Sequence, residues 1–198
     1  MAGNYEFTEQ EALGFDIFRG KGMCSACHVR SASSDDGPSA FTNFTFDNIG
    51  VPKNPENPYL LANPDWFDQG LAGFLATVVT YEVYALANLG KHKVPTLRNS
   101  ARNPGAGSPK AFSHNGYFKS LKSIIHFYNT RDVKPVCPDD FTTEKDALKL
   151  NCWPAAEVVE TVNSDELGNL GLTDEEEDAI VAFLATLSDG FKVQKKVK

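Results

Sequence analysis

Cys24-Ser25-Ala26-Cys27-His28 places two thiols and an imidazole within five residues, the set that covalent attachment of a c-type haem requires. The thiols can add to the two vinyl groups as thioethers, and the His28 imidazole can serve as the proximal ligand of the iron. A thioredoxin-like redox pair and half of a zinc site use the same residue types. A redox pair belongs at the end of a strand in a βαβ unit, and a zinc site needs a second cysteine or histidine pair. This motif instead follows a helical pattern, so one covalent haem c held by Cys24, Cys27 and His28 is the reading the residues favour.

The elements that must position this motif are partly legible. Thr8-Glu9-Gln10-Glu11 has the form of a capping box, which predicts a helix starting near Glu9. Leu13, Ile17 and Phe18 recur at helical spacing, and Gly20 and Gly22 end the element just before the cysteines. From Ser31 to Pro64 the chain turns to Ser, Asp, Asn, Pro and Gly. Its five prolines remove amide donors from any regular ladder, and a long loop around the haem edge is expected. Phe41, Phe44, Phe46 and Ile49 are its apolar points, lining the pocket or packing in the core. The apolar stretch from Phe74 to Leu89, closed by Gly90, predicts a helix with a glycine C-cap, although the run Thr77-Val78-Val79-Thr80 is β-branched. Ser120 can cap a helix in which Leu121, Ile124, Ile125 and Tyr128 share an apolar face. His126 lies about 200° around that helix from Tyr128. A second capping box joins Thr173 to Glu176, with acidic residues against the positive end of the helix dipole. Ala179, Ile180, Phe183, Leu184 and Leu187 form the buried face of this last helix, which is expected to pack across the first.

The 198 residues, 41% of them hydrophobic, suit one globular domain over 1–198 large enough to bury a cofactor. The expected class is mainly α, a cytochrome c-like helical domain with long irregular loops around one haem. A net charge of −7 argues against a nucleic-acid partner and suits a redox partner protein. No apolar run reaches the length of a membrane span. The first residues, Met1-Ala2-Gly3-Asn4, lack the basic and apolar regions of a secretory signal. Because c-type haem is attached on the exported side of a bacterial membrane, the expected location is the periplasm, with the signal absent from this chain. Cys137 and Cys152 either form a disulfide, as that compartment permits, or are two unrelated buried thiols. Lys192, Lys195, Lys196 and Lys198 make a short basic tail able to dock to an acidic partner.

Lys93-Val94-Pro95-Thr96-Leu97-Arg98-Asn99 and Phe112-Ser113-His114-Asn115-Gly116 resemble signatures of the bacterial dihaem cytochrome c peroxidase and MauG family, specifically of its C-terminal haem domain. Phe46-Asp47-Asn48-Ile49-Gly50-Val51-Pro52, the turn Asp68-x-Gly70-Leu71, and Glu166-Leu167-Gly168-Asn169-Leu170-Gly171-Leu172 extend the resemblance from about residue 14 to 190. It implies an electron-relay haem domain, with His114 near the haem and hydrogen-bonded in its pocket. It also implies a sixth iron ligand fourteen residues after His114, at Tyr128, matching the tyrosine of MauG-like members. The only methionines, Met1 and Met23, are poorly placed for that role. His92, His114, His126 and an open or water-bound position remain alternatives. Arg98 can pair with a haem propionate, or it is a plain surface arginine.

The chain also departs from the family pattern. Ser108-Pro109-Lys110-Ala111-Phe112 replaces the usual calcium-holding run, so calcium is not carried over, and Asp47 stands where relatives often have histidine. A single CxxCH leaves the peroxide-reactive haem domain unaccounted for, and a second haem-bearing chain could supply it. The implied function is one-electron transfer in the periplasm. Peroxidase or MauG-like oxidase activity at this haem is the first alternative and small-ligand sensing the second. Catalytic residues stay unassigned.

Overall fold

Helices and two short strands make up the regular structure of the computed structural model, which describes residues 6–30, 39–102 and 111–191. In chain order they are α1 (Glu9–Arg19), β1 (Phe46–Asp47), α2 (Pro58–Ala62), α3 (Leu71–Leu75), β2 (His92–Lys93), α4 (Leu121–Thr130), α5 (Glu144–Leu150) and α6 (Asp174–Ala185). Single 3-10 turns fall at Cys24–Ala26, Glu82–Tyr84 and Leu86–Asn88. The class is mainly helical, as expected. Contacts gather the chain into two compact units, each built from distant stretches of sequence. The first takes the described residues of 1–43, 95–108 and 172–198, and the second those of 44–94 and 109–171. The basic tail from Lys192 and the Ser108-Pro109-Lys110 segment lie outside the described residues. No helix among the described residues is long and apolar enough to cross a membrane.

The first unit is a crossing of α1 and α6, and both capping boxes form. The Thr8 hydroxyl accepts from the Glu11 amide at 3.3 Å while the Glu11 carboxylate accepts from the Thr8 amide at 2.8 Å. Thr173 and Glu176 repeat the exchange at 3.2 and 2.8 Å. The Lys21 ammonium, 2.6 Å from Glu176, holds that carboxyl below its ordinary value, so the contribution is present above the usual glutamate range and is lost on acidification. The helices approach at Gly14, where a methyl group would fall 1.9 Å from the Ala179 carbonyl oxygen. Leu13, expected on the buried face, is instead 47% exposed, because the glycine beside it occupies the crossing. Phe183, fully buried, gathers the rings of Phe7, Phe15, Phe18 and Phe41 at centroid distances of 5.1 to 6.2 Å.

In the second unit β1 and β2 pair antiparallel, Phe46 opposite Lys93 and Asp47 opposite His92. The core is Val51, Tyr117, Phe118, Phe127, Ala147 and Trp153, with Ile49 and Tyr128 packed on its margin. Ser120 caps α4, its hydroxyl accepting from the Ser123 amide at 3.0 Å. Arg131 ties the loops together by donating to the Ile49 and Asn163 carbonyls at 3.0 and 2.9 Å. The helix expected from Phe74 to Leu89 is not formed. It stops at Leu75 and gives way to turns and two 3-10 turns, because the β-branched run loses side-chain freedom in a helix and little of the stretch is buried; Val79, Val83 and Leu86 are at least 80% exposed. Gly90 is not a helix cap. Its φ of +68° carries the chain past Val158, against which a Cβ would lie 2.7 Å away. Of the four apolar points in the first long loop, Phe41 is buried in the first unit and Ile49 packs in the second, while Phe44 and Phe46 are exposed.

The Cys137 and Cys152 sulfurs are joined in the structure, and their removal gives a first testable consequence. In the chain-entropy model a loop of this length contributes about 3 kcal/mol. Oxidised protein should therefore resist alkylation at both positions until reduced, and reduction should lower the unfolding midpoint. Full alkylation of unreduced protein, read by intact mass, would show the pair open.

Candidate haem-attachment site

The cysteine motif sits in one tight turn that follows α1 directly. Gly22 donates to the Ile17 carbonyl at 2.8 Å and Met23 to that of Gly20 at 2.9 Å. Met23, in the left-handed region at φ +52°, then turns the chain into the 3-10 turn of Cys24 to Ala26. Neither Cys24 nor Cys27 is in a disulfide, and the Cys24 thiol donates to the Gly22 carbonyl at 3.3 Å. Burial pushes the Cys24 thiol up to about 12, the opposite of the depressed value that a redox-active CxxC cysteine needs. The helix-to-turn setting likewise lacks the strand that a thioredoxin-like pair follows. The His28 ring donates through Nδ1 to the Phe41 carbonyl at 2.9 Å, and since a carbonyl only accepts, the lone pair is left on Nε2. Burial holds the imidazole below its ordinary value, with the Phe41 and Pro95 carbonyls acting the other way. A neutral imidazole oriented by a backbone carbonyl is the state in which histidine ligates a metal. Met23 and Val29, each at least 40% exposed, flank the motif with apolar surface. Two cysteines outside any disulfide, an oriented neutral imidazole and apolar flanks fit a covalent haem.

The segment carrying Arg98 is fastened in the same unit. The Thr96 hydroxyl donates to the Ala40 carbonyl and accepts from the Arg98 amide at 3.2 Å. Asn99 and Asp189 exchange two hydrogen bonds at 2.9 and 2.7 Å. The Arg98 guanidinium, about a third exposed, lies 3.7 Å from the Asp189 carboxylate. Such a loose surface pair is worth little, which leaves the guanidinium free to take a stronger anionic partner.

Tyr128 and the other histidines belong to the second unit. His126 turns away from Tyr128 as helical spacing requires: its Nε2 faces the Lys134 ammonium at 2.6 Å and its ring faces Trp153. Tyr128 packs beside the core, and its carbonyl accepts from the Gly168 amide at 2.6 Å. His114 sits at the tip of a turn closed by the Phe112–Phe118 bridge. It stacks on His92 with centroids 3.7 Å apart and donates through Nε2 to Glu157 at 2.9 Å. The sequence reading missed Phe41 as the partner of His28, and it missed Glu157 altogether. Neither position carries a local signal, since a backbone carbonyl is supplied by any residue and Glu157 reaches His114 across 43 residues.

None of the protein-family models compared matches the sequence. Individual proteins do. The chain is 32% identical over 196 residues to methylamine utilization protein MauG of Paracoccus denitrificans, covering 96% of this chain and 45% of that protein. It is 27% identical over 193 residues to cytochrome-c peroxidase IdrP2 of Denitromonas iodatirespirans, 91% of this chain and 40% of the relative. The crystal structure of the dihaem peroxidase BthA from Burkholderia thailandensis superposes with a TM-score of 0.66 at 30% identity, over 95% of this chain and 44% of that one. The chain belongs to the MauG and dihaem cytochrome c peroxidase family. As a member it spans slightly under half the length of these relatives. A MauG-like protein associated with microbial copper homeostasis shares the fold at a TM-score of 0.59 and 20% identity. Family membership supports a haem c protein and agrees with the donor set at Cys24, Cys27 and His28.

Proposed function

We propose that this chain is a periplasmic c-type cytochrome that carries one haem c on Cys24, Cys27 and His28 and works in one-electron transfer with a redox partner protein, of which a second haem-bearing chain is one form. The observation that carries the reading is the CxxCH turn, with both cysteines outside any disulfide and its imidazole oriented by the Phe41 carbonyl. When bound, haem c supplies a one-electron ferric–ferrous couple. In this reading the Phe41 carbonyl fixes the His28 tautomer, and Arg98 exchanges its loose contact with Asp189 for a propionate. His114 is engaged with Glu157 and His92. The periplasmic placement rests on where haem c is attached and on the joined Cys137 and Cys152.

Tyr128 is our proposed sixth ligand, on the family spacing from His114 and on the engagement of the rival His126 with Lys134. A phenolate ligand favours the ferric state and lowers the potential. The ferric absorption and paramagnetic resonance spectra of Tyr128→Phe should therefore differ from those of the parent protein. An unchanged spectrum, with His126→Ala altering it instead, would move the assignment to histidine.

A peroxidase or MauG-like oxidase is the second reading, favoured by the names of the relatives. The two readings separate in steady-state turnover of peroxide with a one-electron donor. Electron transfer alone predicts a rate below the usual enzyme range of about 1 to 10³ per second, and a rate within that range would replace it with peroxidase function.

A further inference from the structure

The second unit brings together Asp68, His92 and His114, none of which lies in the haem-attachment turn. A carboxylate oxygen of Asp68 and one ring nitrogen from each histidine lie within 4.8 Å of one another. We propose that Asp68, His92 and His114 form a binding site for a divalent transition-metal ion such as zinc, separate from the haem iron. Two imidazoles and one carboxylate with a remaining open position are a donor set that zinc accepts, at bond lengths of about 2.0–2.2 Å.

The surroundings are built to orient these donors. Glu157, whose side chain is 5% exposed, accepts from His114 Nε2 through one oxygen at 2.9 Å and from the Asp68 amide through the other at 3.1 Å. Its two oxygens are thus spent on holding two of the three ligands. The bond to His114 places the proton on Nε2 and leaves the lone pair on Nδ1, the carboxylate–histidine arrangement that supports a metal-bound imidazole. The Asp68 side chain is fixed by accepting from the Gly70 amide at 2.9 Å. Backbone bonds from Leu71 to the Lys91 carbonyl and from Gly90 to the Gln69 carbonyl, 2.8 and 3.0 Å, clamp the Asp68 turn beside the strand that carries His92. Asn115 anchors the His114 turn by donating to the Pro52 carbonyl at 2.7 Å and to Glu157 at 3.4 Å.

The two rings lie nearly parallel, 8° apart, so their in-plane lone pairs do not converge as they stand. Closing on one ion takes a turn of one ring about its side-chain torsions, which the part-exposed edge of the cluster allows. The proposal does not depend on the haem reading.

The test is calorimetric titration of the haem-loaded protein with zinc ions after chelator treatment. One equivalent should bind with an affinity on the order of micromolar, without a change in the haem absorption. His92→Phe keeps a ring in the stack and removes the nitrogen, and it should abolish this binding while leaving the unfolding midpoint near that of the parent. Glu157→Gln should weaken it by about 10- to 100-fold. Absence of saturable binding to the parent protein would overturn the proposal. So would equal affinity in parent and His92→Phe, or a haem spectrum altered by His92→Phe before zinc is added, since that would assign His92 to the haem.

Discussion

Gly14→Ala is expected to lower the unfolding midpoint of the protein by roughly 6–12 °C, the shift that about 3 kcal/mol produces in a chain of this size. The sign is the informative part, because alanine is favoured over glycine inside a helix by about 1 kcal/mol. At Gly14 that preference is overridden by geometry. The added Cβ would stand 1.9 Å from the Ala179 carbonyl oxygen, 2.4 Å from its carbon and 3.0 Å from the Phe183 Cβ. The first two are backbone atoms of α6 and cannot rotate away, so the helices must separate and loosen the ring cluster around Phe183. Gly73→Ala is the control. Within α3 its Cβ would meet nothing closer than Gln69 at 3.6 Å, and the substitution should leave stability unchanged or raise it slightly. Thermal unfolding followed by far-ultraviolet circular dichroism compares the two. Equal midpoints for Gly14→Ala and the parent protein would mean that α1 and α6 do not cross in contact.

That crossing marks where sequence reading gives out. The helix starts at Thr8, Ser120 and Thr173 were readable because a cap is a local bargain among residues three apart, and each formed. The CxxCH motif was readable because covalent chemistry fixes its spacing. The face of α1 was only half readable: Ile17 and Phe18 are buried, yet Leu13 is displaced outward by the demand for a small residue at Gly14, a demand set by α6, more than 150 positions away. The stretch from Phe74 to Leu89 is hydrophobic without being helical beyond Leu75, because its β-branched centre settles into turns. At the site, His28 itself was legible and its partner was not. Phe41 offers its carbonyl from a left-handed conformation, φ +53°, which a phenylalanine in a polar loop does not advertise. The His92–His114–Glu157 arrangement was hidden for the same reason: three segments distant in sequence supply one group each, and no spacing connects them.

Trp153→Ala should cost about 3–5 kcal/mol, as loss of a large buried ring does. The residue is 2% exposed and lies among the rings of Phe118 and Phe127, at 6.1 and 5.2 Å. Its backbone is equally committed, donating to the Pro135 carbonyl at 3.1 Å and accepting from the Cys137 amide at 2.8 Å. The indole Nε1 donates to the Thr130 hydroxyl at 3.0 Å, which fastens the last turn of α4, the turn that carries Tyr128. Truncation therefore removes packing and an anchor of that helix together. Trp153→Phe retains most of the apolar contact and forgoes the indole bond, so its loss should be smaller, with about 1 kcal/mol belonging to the hydrogen bond. The pair thus separates the anchor from the packing. Denaturant unfolding of the oxidised, haem-loaded protein gives both numbers. The order should be parent, then Trp153→Phe, then Trp153→Ala, and with Tyr128 on the iron the ferric spectrum of Trp153→Ala should also shift. A loss under about 0.5 kcal/mol for Trp153→Ala, the range of an ordinary surface change, would mean that this tryptophan does not organise the second unit's core.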